Sequence, residues 1–200
     1  MAAPVPEHTR RRRRGEQLES ALLEAAWDEL TEAGFAGLTM EAVAGRARTG
    51  IAVLYRRWAN KDELVLAALE HYRRARPVEI PDTGTLRGDL LALLTAISKA
   101  RATWTAVAAA AAFSGLLAST GLTPGQARDR LLGDQLMRGD HIIYRRARDR
   151  GEIDMERIPP GVLAMPFDLL RHDLLMNLEP LPAARIKSIV DEMFLPLVSH

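Results

Sequence analysis

Apolar residues recur at helical spacing along almost the whole chain. Leu54 and Trp58 lie four residues apart, with Ile51 one turn earlier, so the three form one apolar stripe on a short helix. The alternation of β-branched residues that would indicate strands is missing, and alanine and leucine dominate. The pattern therefore predicts an all-α fold.

The same pattern predicts about nine helices. Their expected ranges are residues 15–33, 40–47, 51–58, 61–76, 85–102, 103–119, 124–150, 161–177 and 182–198. Gly34 suits the position just after the first helix, while Thr39 and Asn60 suit the N-caps of the second and fourth. Pro124 and Gly151 suit the start and the end of the seventh helix.

Pro77, Pro81 and Gly84 form the clearest break in the chain. Three parts are predicted: a disordered basic arm over residues 1–14, a three-helix domain with its linking fourth helix over 15–76, and a helical bundle over 77–200. The arginine run at residues 10–14 is interpreted either as an arm that reaches a DNA groove or as a solvated run.

Composition narrows the class of protein. With 200 residues, 48% hydrophobic and 26% charged, the chain is typical of globular proteins with a sizeable core. It has no cysteine, which excludes disulfides and thiolate metal sites. No apolar run follows the N-terminal charges, and the longest apolar candidate, around Trp104 to Leu117, is rich in alanine. We expect a cytoplasmic protein that does not bind membranes.

Positive charge is concentrated in one short region. The net charge is only +1, yet five basic residues and a single acid, Glu41, lie between Ala33 and Lys61. The second and third predicted helices fall in this region, and a tight turn between two such helices is typical of a helix-turn-helix. In that motif the third helix enters the major groove of DNA.

The residue types at this motif are typical of phosphate binding. Long cations and hydroxyl groups bind phosphate oxygens, and so do the backbone N–H groups at the start of helices. The side chains that could do so are Tyr55, Arg56, Arg57 and Lys61, and the helix starts are marked by Thr39 and Gly50. The expected partner is double-stranded DNA.

Two segments, AAWDELTEAGFAGLTMEAVAGRA and TGIAVLYRRWANKDELVLAAL, resemble the DNA-binding domain of TetR/AcrR-type transcriptional regulators. The resemblance covers about residues 18–72 without a gap, and RRARDRGEID resembles the end of that family's seventh helix. It implies that Tyr55 and Lys61 contact phosphate and that Ile51 and Ala52 face the bases. It also implies a homodimeric regulator, expected to act as a repressor, that binds a palindromic operator.

The chain departs from the family pattern in the turn. Arg48 stands where the family usually has glycine, and an arginine with positive φ costs about 1–2 kcal/mol. Alternatively, Gly50 takes the strained conformation. Ile51 is apolar where a polar residue is usual, which favours contact with thymine methyl groups over hydrogen-bonded readout.

The last two predicted helices carry apolar stripes that suggest a dimer interface. Such stripes are typically buried across a two-fold axis in a four-helix bundle, although an internal core would give the same pattern. The predicted interface residues are Leu169, Leu175, Ile186, Val190, Met193, Phe194 and Leu197.

The middle helices are expected to hold a small apolar effector. Ligand pockets combine large apolar side chains with a few polar groups, and core packing is the alternative for each candidate. The candidates are Trp104, Phe113, Met137, His141, Tyr144 and Phe167.

No catalytic constellation, cofactor motif or metal-ligand spacing is present in the sequence. His172-Asp173, with His141 and Asp191, invites comparison with helical metal phosphohydrolases, but only the dipeptide matches. We therefore predict a DNA-binding regulator that is not an enzyme and has no cofactor. A constitutive or architectural DNA-binding dimer without a ligand is the other alternative.

Overall fold

The computed structural model describes the backbone of residues 7–132 and 136–198 and the side chains of residues 15–131 and 142–198. All regular structure in these ranges is helical, which confirms the predicted all-α fold. The side chains of Met137 and His141, predicted to line a pocket, lie outside the described residues.

Four helices form the N-terminal part. They are α1 (Glu7–Gly37), α2 (Met40–Arg46), α3 (Ile51–Tyr55) and α4 (Lys61–Ala75). Regular geometry in α1 is interrupted at Gly34, which has a φ of 67°. With a ψ of 174°, this conformation is one that glycine adopts easily, and glycine was predicted to end the first helix here.

Five further helical elements follow. They are α5 (Leu86–Thr120), α6 (Pro124–Leu132), α7 (Leu136–Asp149), α8 (Pro160–Asn177) and α9, which begins at Ala183 and ends at Val198. A π-helical turn at Ala112–Leu116 interrupts α5, and a second π segment, Ser188–Phe194, lies within α9. The described ranges thus contain nine helices, as predicted.

Several predicted boundaries were wrong. The expected break between residues 102 and 103 does not exist, because this part of α5 contains no glycine or proline to end the helix. The expected helix over 124–150 is described as α6 and α7, and residues 133–135 lie outside the described residues. Residues 7–14 belong to α1, so the predicted disordered arm is wrong for them. The third helix ends at Tyr55 instead of at residue 58.

The chain folds into two compact units. One contains the residues up to Ala75 together with Ala110–Ala127, and the other contains Arg76–Ala109 and the residues from Arg128 onward. The first unit therefore takes a segment from the range that was predicted to form one C-terminal bundle. Helix α5 has residues in both units.

In the first unit, α1 packs against α2 and α4, and the π turn of α5 also packs on α1. Trp27 of α1 stacks on Tyr72 of α4, with ring centroids 3.5 Å apart. Gly115 in the π turn has a φ of 116°, and a Cβ added there would lie 3.8 Å from the Phe35 ring. Leu116, next to it, is buried.

The second unit has one large apolar core. Leu90, Ile143 and Phe194 are fully buried there, and Tyr144 lies against Phe194 with ring centroids 5.8 Å apart. Polar groups at the start of α5 form hydrogen bonds with the segment before it. The fully buried carboxylate of Asp89 accepts hydrogen bonds from the backbone N–H and the hydroxyl of Thr83, at 2.6 and 2.8 Å.

One helix in the described part of the chain, Leu86–Thr120, is long and apolar enough to cross a membrane by length and composition alone. Because core helices of globular proteins pass the same test, a single such helix is weak support for a membrane span. The sequence pattern predicted two shorter helices in this region.

Candidate nucleic-acid interface

Helix α2 begins with a capped turn. The hydroxyl of Thr39 accepts a hydrogen bond from the backbone N–H of Ala42 at 3.1 Å, which confirms Thr39 as the N-cap. At the other end, the backbone N–H of Thr49 donates to the carbonyl of Ala44 at 3.0 Å and closes the turn toward α3. The motif is therefore held by local hydrogen bonds.

Helix α3 is fixed through its apolar face. Leu54 is fully buried and Trp58, just after the helix, is 8% exposed. Both belong to the apolar stripe predicted from the sequence, and both are buried. Asn60 then caps α4, because its side-chain oxygen accepts from the N–H of Glu63 at 2.9 Å.

The other side chains of α3 and of the two residues after it are exposed or half-buried. Tyr55 is 52% exposed, and Ala52, Arg56 and Arg57 are exposed as well, while Ile51 is half-buried. The Arg57 guanidinium donates to the carbonyl of Val53 at 3.2 Å, which folds this side chain back along α3. The end of α3 and the two residues after it therefore present a hydroxyl and two guanidinium groups to solvent.

Lys61 has a partner inside the domain. Its ammonium donates to the carbonyl of Phe35 at 3.0 Å and lies 4.5 Å from the centroid of the Phe35 ring. An ammonium carries three N–H donors, so this hydrogen bond leaves two for another acceptor. Lys61 thus joins α4 to the end of α1, a role that sequence reasoning missed.

Arg46 is not part of the open basic face. Its guanidinium pairs with Glu29 at 3.0 Å and with Glu32 through two nitrogens. The hydrogen bond from Arg46 lowers the pKa of the Glu32 carboxyl and helps keep it ionised. This residue is one of the five cations of the predicted basic region, and its charge is used to hold α2 on α1.

The turn between α2 and α3 contains the strained residue. Arg48 has a φ of 52°, whereas Gly50 has a φ of −79°. The arginine, and not Gly50, therefore takes the left-handed conformation, and the alternative in which Gly50 takes it was wrong. The glycine that the family usually has at this point would adopt this conformation without a Cβ clash.

The predicted effector residues separate into different environments. Trp104, Tyr144 and Phe167 are buried in the second unit, and the Tyr144 hydroxyl donates to the carbonyl of Leu163 at 2.7 Å. Phe113 is 89% exposed, so its prediction as a pocket residue was wrong. It lies in the π turn, where the extra residue changes the direction of side chains from that expected for a regular helix.

The residues predicted to lie at the dimer interface also differ in their exposure. Leu175 and Leu197 are 45% and 57% exposed, and Leu169 and Met193 are half-buried. Three others belong to the core of the chain itself, so predicting them at an interface was wrong. They are Ile186, Val190 and Phe194, each at most 2% exposed. A regular apolar stripe cannot show which of its members face the chain's own core.

The two aspartates that suggested a metal phosphohydrolase are engaged with arginines. Asp173 accepts from Arg185 at 2.6 Å, and Asp191 accepts two hydrogen bonds from Arg87 at 2.8 Å. These hydrogen bonds lower the pKa of both carboxyls. Among the described residues, no group of three or more possible ligands is placed to hold a metal ion.

Sequence comparison identifies both parts of the chain. Residues 22–68 match the family described as "Bacterial regulatory proteins, tetR family", and residues 80–193 match "Tetracyclin repressor-like, C-terminal domain". An uncharacterized HTH-type transcriptional regulator of Mycobacterium tuberculosis is 33% identical over 189 residues, 91% of this chain and 88% of the relative. The DNA-binding transcriptional repressor TetR of Mycobacteroides abscessus is 41% identical over 81 residues, but that alignment spans only 40% of this chain and 43% of the repressor.

Solved structures show the same fold. The crystal structure of the TetR-family regulator SCO0332 matches with a TM-score of 0.63 and 25% identity, and the match covers 92% of this chain and all of the other. A TetR transcriptional regulator from Agrobacterium tumefaciens matches with a TM-score of 0.56 and 23% identity, over 91% and 94% of the two chains. The matched proteins are transcriptional regulators and not enzymes. The chain belongs to the TetR family of bacterial transcriptional regulators.

Proposed function

We propose that this regulator binds a palindromic operator as a homodimer in the cytoplasm, represses transcription, and is released by a small apolar effector. The observation that carries the proposal is the arrangement of buried and exposed side chains in α3 and just after it. Leu54 in this helix and Trp58 just after it are buried, while Tyr55 at its end and Arg56 and Arg57 after it remain exposed. Such a face suits the phosphates that border a major groove.

Two copies of this surface would be needed for a palindrome. Recognition helices of a dimer meet successive major grooves when they lie about 34–36 Å apart. The apolar side chains left exposed on α8, just after it and on α9 support a dimer through these helices. They are Leu175, Met176, Leu178 and Leu197, with exposures between 43% and 61%.

Lys61→Ala is expected to weaken binding to all DNA sequences alike. Removal of one phosphate hydrogen bond should lower the slope of log K against log salt by about 0.9 per subunit. The measurement is fluorescence anisotropy with an operator duplex and a random duplex over a series of salt concentrations. Ile51→Thr is the matched variant, because a change at the base-facing position should alter which sequences bind and leave the salt slope unchanged. An unchanged slope for Lys61→Ala would remove Lys61 from the interface and leave only its hydrogen bond to Phe35.

Aromatic side chains buried in the second unit support an apolar effector. Tyr144 and Phe167 lie edge to face, with ring centroids 6.5 Å apart, and Trp104 is 7% exposed. An effector can release DNA only by binding the DNA-incompetent state more tightly. A coupling free energy of about 1–3 kcal/mol would change operator affinity about 5–150-fold, and DNA must weaken effector binding by the same factor.

We therefore expect an effector that shifts tryptophan emission and binds more weakly when operator is present. Candidate apolar compounds are titrated against the protein with and without operator duplex, and Trp104→Phe tests whether Trp104 is the reporter. Trp27→Phe is the matched control, since Trp27 stacks on Tyr72 in the other unit. Equal effector affinities with and without DNA would favour the alternative, a constitutive or architectural DNA-binding dimer without a ligand.

A further inference from the structure

Arg48 combines three properties that do not usually occur together. It lies in the turn between α2 and α3, it holds a positive φ of 52°, and its side chain is exposed. A strained residue persists where the surrounding structure fixes it, and such residues often mark functional positions. Strain alone identifies no function, so the surroundings of the side chain decide what it could do.

The charge of Arg48 is available to an external partner, in contrast to that of its neighbour Arg46. Arg46 is paired with Glu29 and Glu32. Across the described side chains, the Arg48 guanidinium has no hydrogen bond or ion pair, and the only acid between residues 33 and 61 is Glu41. A long cation without an internal partner on a surface of the same sign is stabilised by an external anion.

The position of Arg48 places that anion on DNA. Arg48 precedes Ile51, the first residue of α3, by three residues, so their Cα atoms are at most about 11 Å apart. The major groove that receives the start of a recognition helix is about 12 Å wide and is bordered by phosphates. A side chain that starts beside the helix therefore lies next to the border of the groove.

We propose that Arg48 is a phosphate-contacting residue of the DNA interface, additional to those on α3 and α4, and that its DNA contact offsets the strain in the turn. The inference deepens the proposed function, because it requires that α3 enters the major groove. It assigns Arg48 to the positioning of the protein on DNA and not to the choice of bases.

Three variants of Arg48 separate the effect of its backbone conformation from the effect of its charge. Arg48→Gly removes both the strain and the charge, Arg48→Ala removes only the charge, and Arg48→Lys keeps the charge. Arg145→Ala is the matched control, since Arg145 is an exposed arginine of the other unit that, among the described side chains, has no internal partner. Dissociation constants are measured for a duplex that wild-type protein selects from a random pool and for an unselected duplex, and melting temperatures are measured without DNA.

The glycine variant should melt a few degrees higher than wild type and yet bind both duplexes more weakly. Because each subunit of a dimer would neutralise one phosphate fewer, the salt slope should fall by about 1.8, and the ratio of wild-type to variant affinity should shrink about 12-fold between about 50 and 200 mM salt. The alanine variant should show the same weakening of binding without the gain in melting temperature. The lysine variant and Arg145→Ala should keep the wild-type slope.

Wild-type affinity and slope in both Arg48→Gly and Arg48→Ala would overturn the proposal. A wild-type protein that binds the unselected duplex but selects no palindrome would contradict the proposed function instead. In that case the slopes measured on the unselected duplex still decide whether Arg48 contacts phosphate.

Discussion

Phe194→Asp is expected to unfold the second unit, whereas Leu175→Asp is expected to leave a folded protein that cannot form the proposed dimer. Phe194 is fully buried beside Tyr144, while Leu175 is 45% exposed on α8. Removing a buried phenylalanine costs about 3–5 kcal/mol, and an unpaired carboxylate in its place adds several more. Because proteins are stable by only about 5–15 kcal/mol, this change alone can abolish the fold.

The two variants are compared by circular dichroism and by sedimentation. Phe194→Asp should lose helical signal or aggregate, and Phe194→Leu, which keeps an apolar side chain there, should stay folded. Leu175→Asp should melt near the wild-type temperature, sediment as a monomer and lose operator binding. A folded Phe194→Asp would contradict the core assignment, and a dimeric Leu175→Asp with native operator affinity would point to another interface.

Leu54→Ala is expected to reduce operator affinity roughly tenfold or more, although Leu54 does not face DNA. Helix α3 has only five residues, and Leu54 is its one fully buried side chain. A buried leucine replaced by alanine costs about 2–5 kcal/mol, most of which would come from the packing of α3 on α2 and the rest of its unit. Part of the free energy of DNA binding would then be used to return the helix to its native position.

This weakening should appear on specific and random DNA alike, with an unchanged salt slope, because no phosphate contact is removed. Leu54→Met is the matched control, since a swap that conserves volume costs less than about 1.5 kcal/mol. Hydrogen exchange at the amides of residues 51–55 should be faster in the alanine variant. Wild-type affinity in Leu54→Ala would mean that α3 is held by contacts other than this side chain.

The N-terminal domain could be predicted closely from sequence because its signals are local. Thr39 and Asn60 cap helices that begin one residue later, and Gly34 ends regular helix geometry where it stands. Each of these signals depends on a few neighbouring residues, so no knowledge of distant packing is required. The conformation of Arg48 was left open, because two residues of the same turn could have taken the positive φ.

The C-terminal part depends more on tertiary packing. The stripe of α9 fits a dimer face and a core face equally well, and the core took Ile186, Val190 and Phe194. The length of α5 was missed because nothing local marks where a helix continues past the usual length. The exposure of Phe113 depends on a π turn, which hydrophobic periodicity does not predict.

Because α5 contributes to both units, the DNA-binding unit is discontinuous along the gene. Residues 110–127 belong with the residues before 76, and Leu116 is 3% exposed within that unit. A fragment cut after Ala75 would lack this side chain and uncover the part of α1 on which the π turn packs. A chimera that joined this DNA-binding unit to the sensor of a relative would need two exchanged segments instead of one splice point.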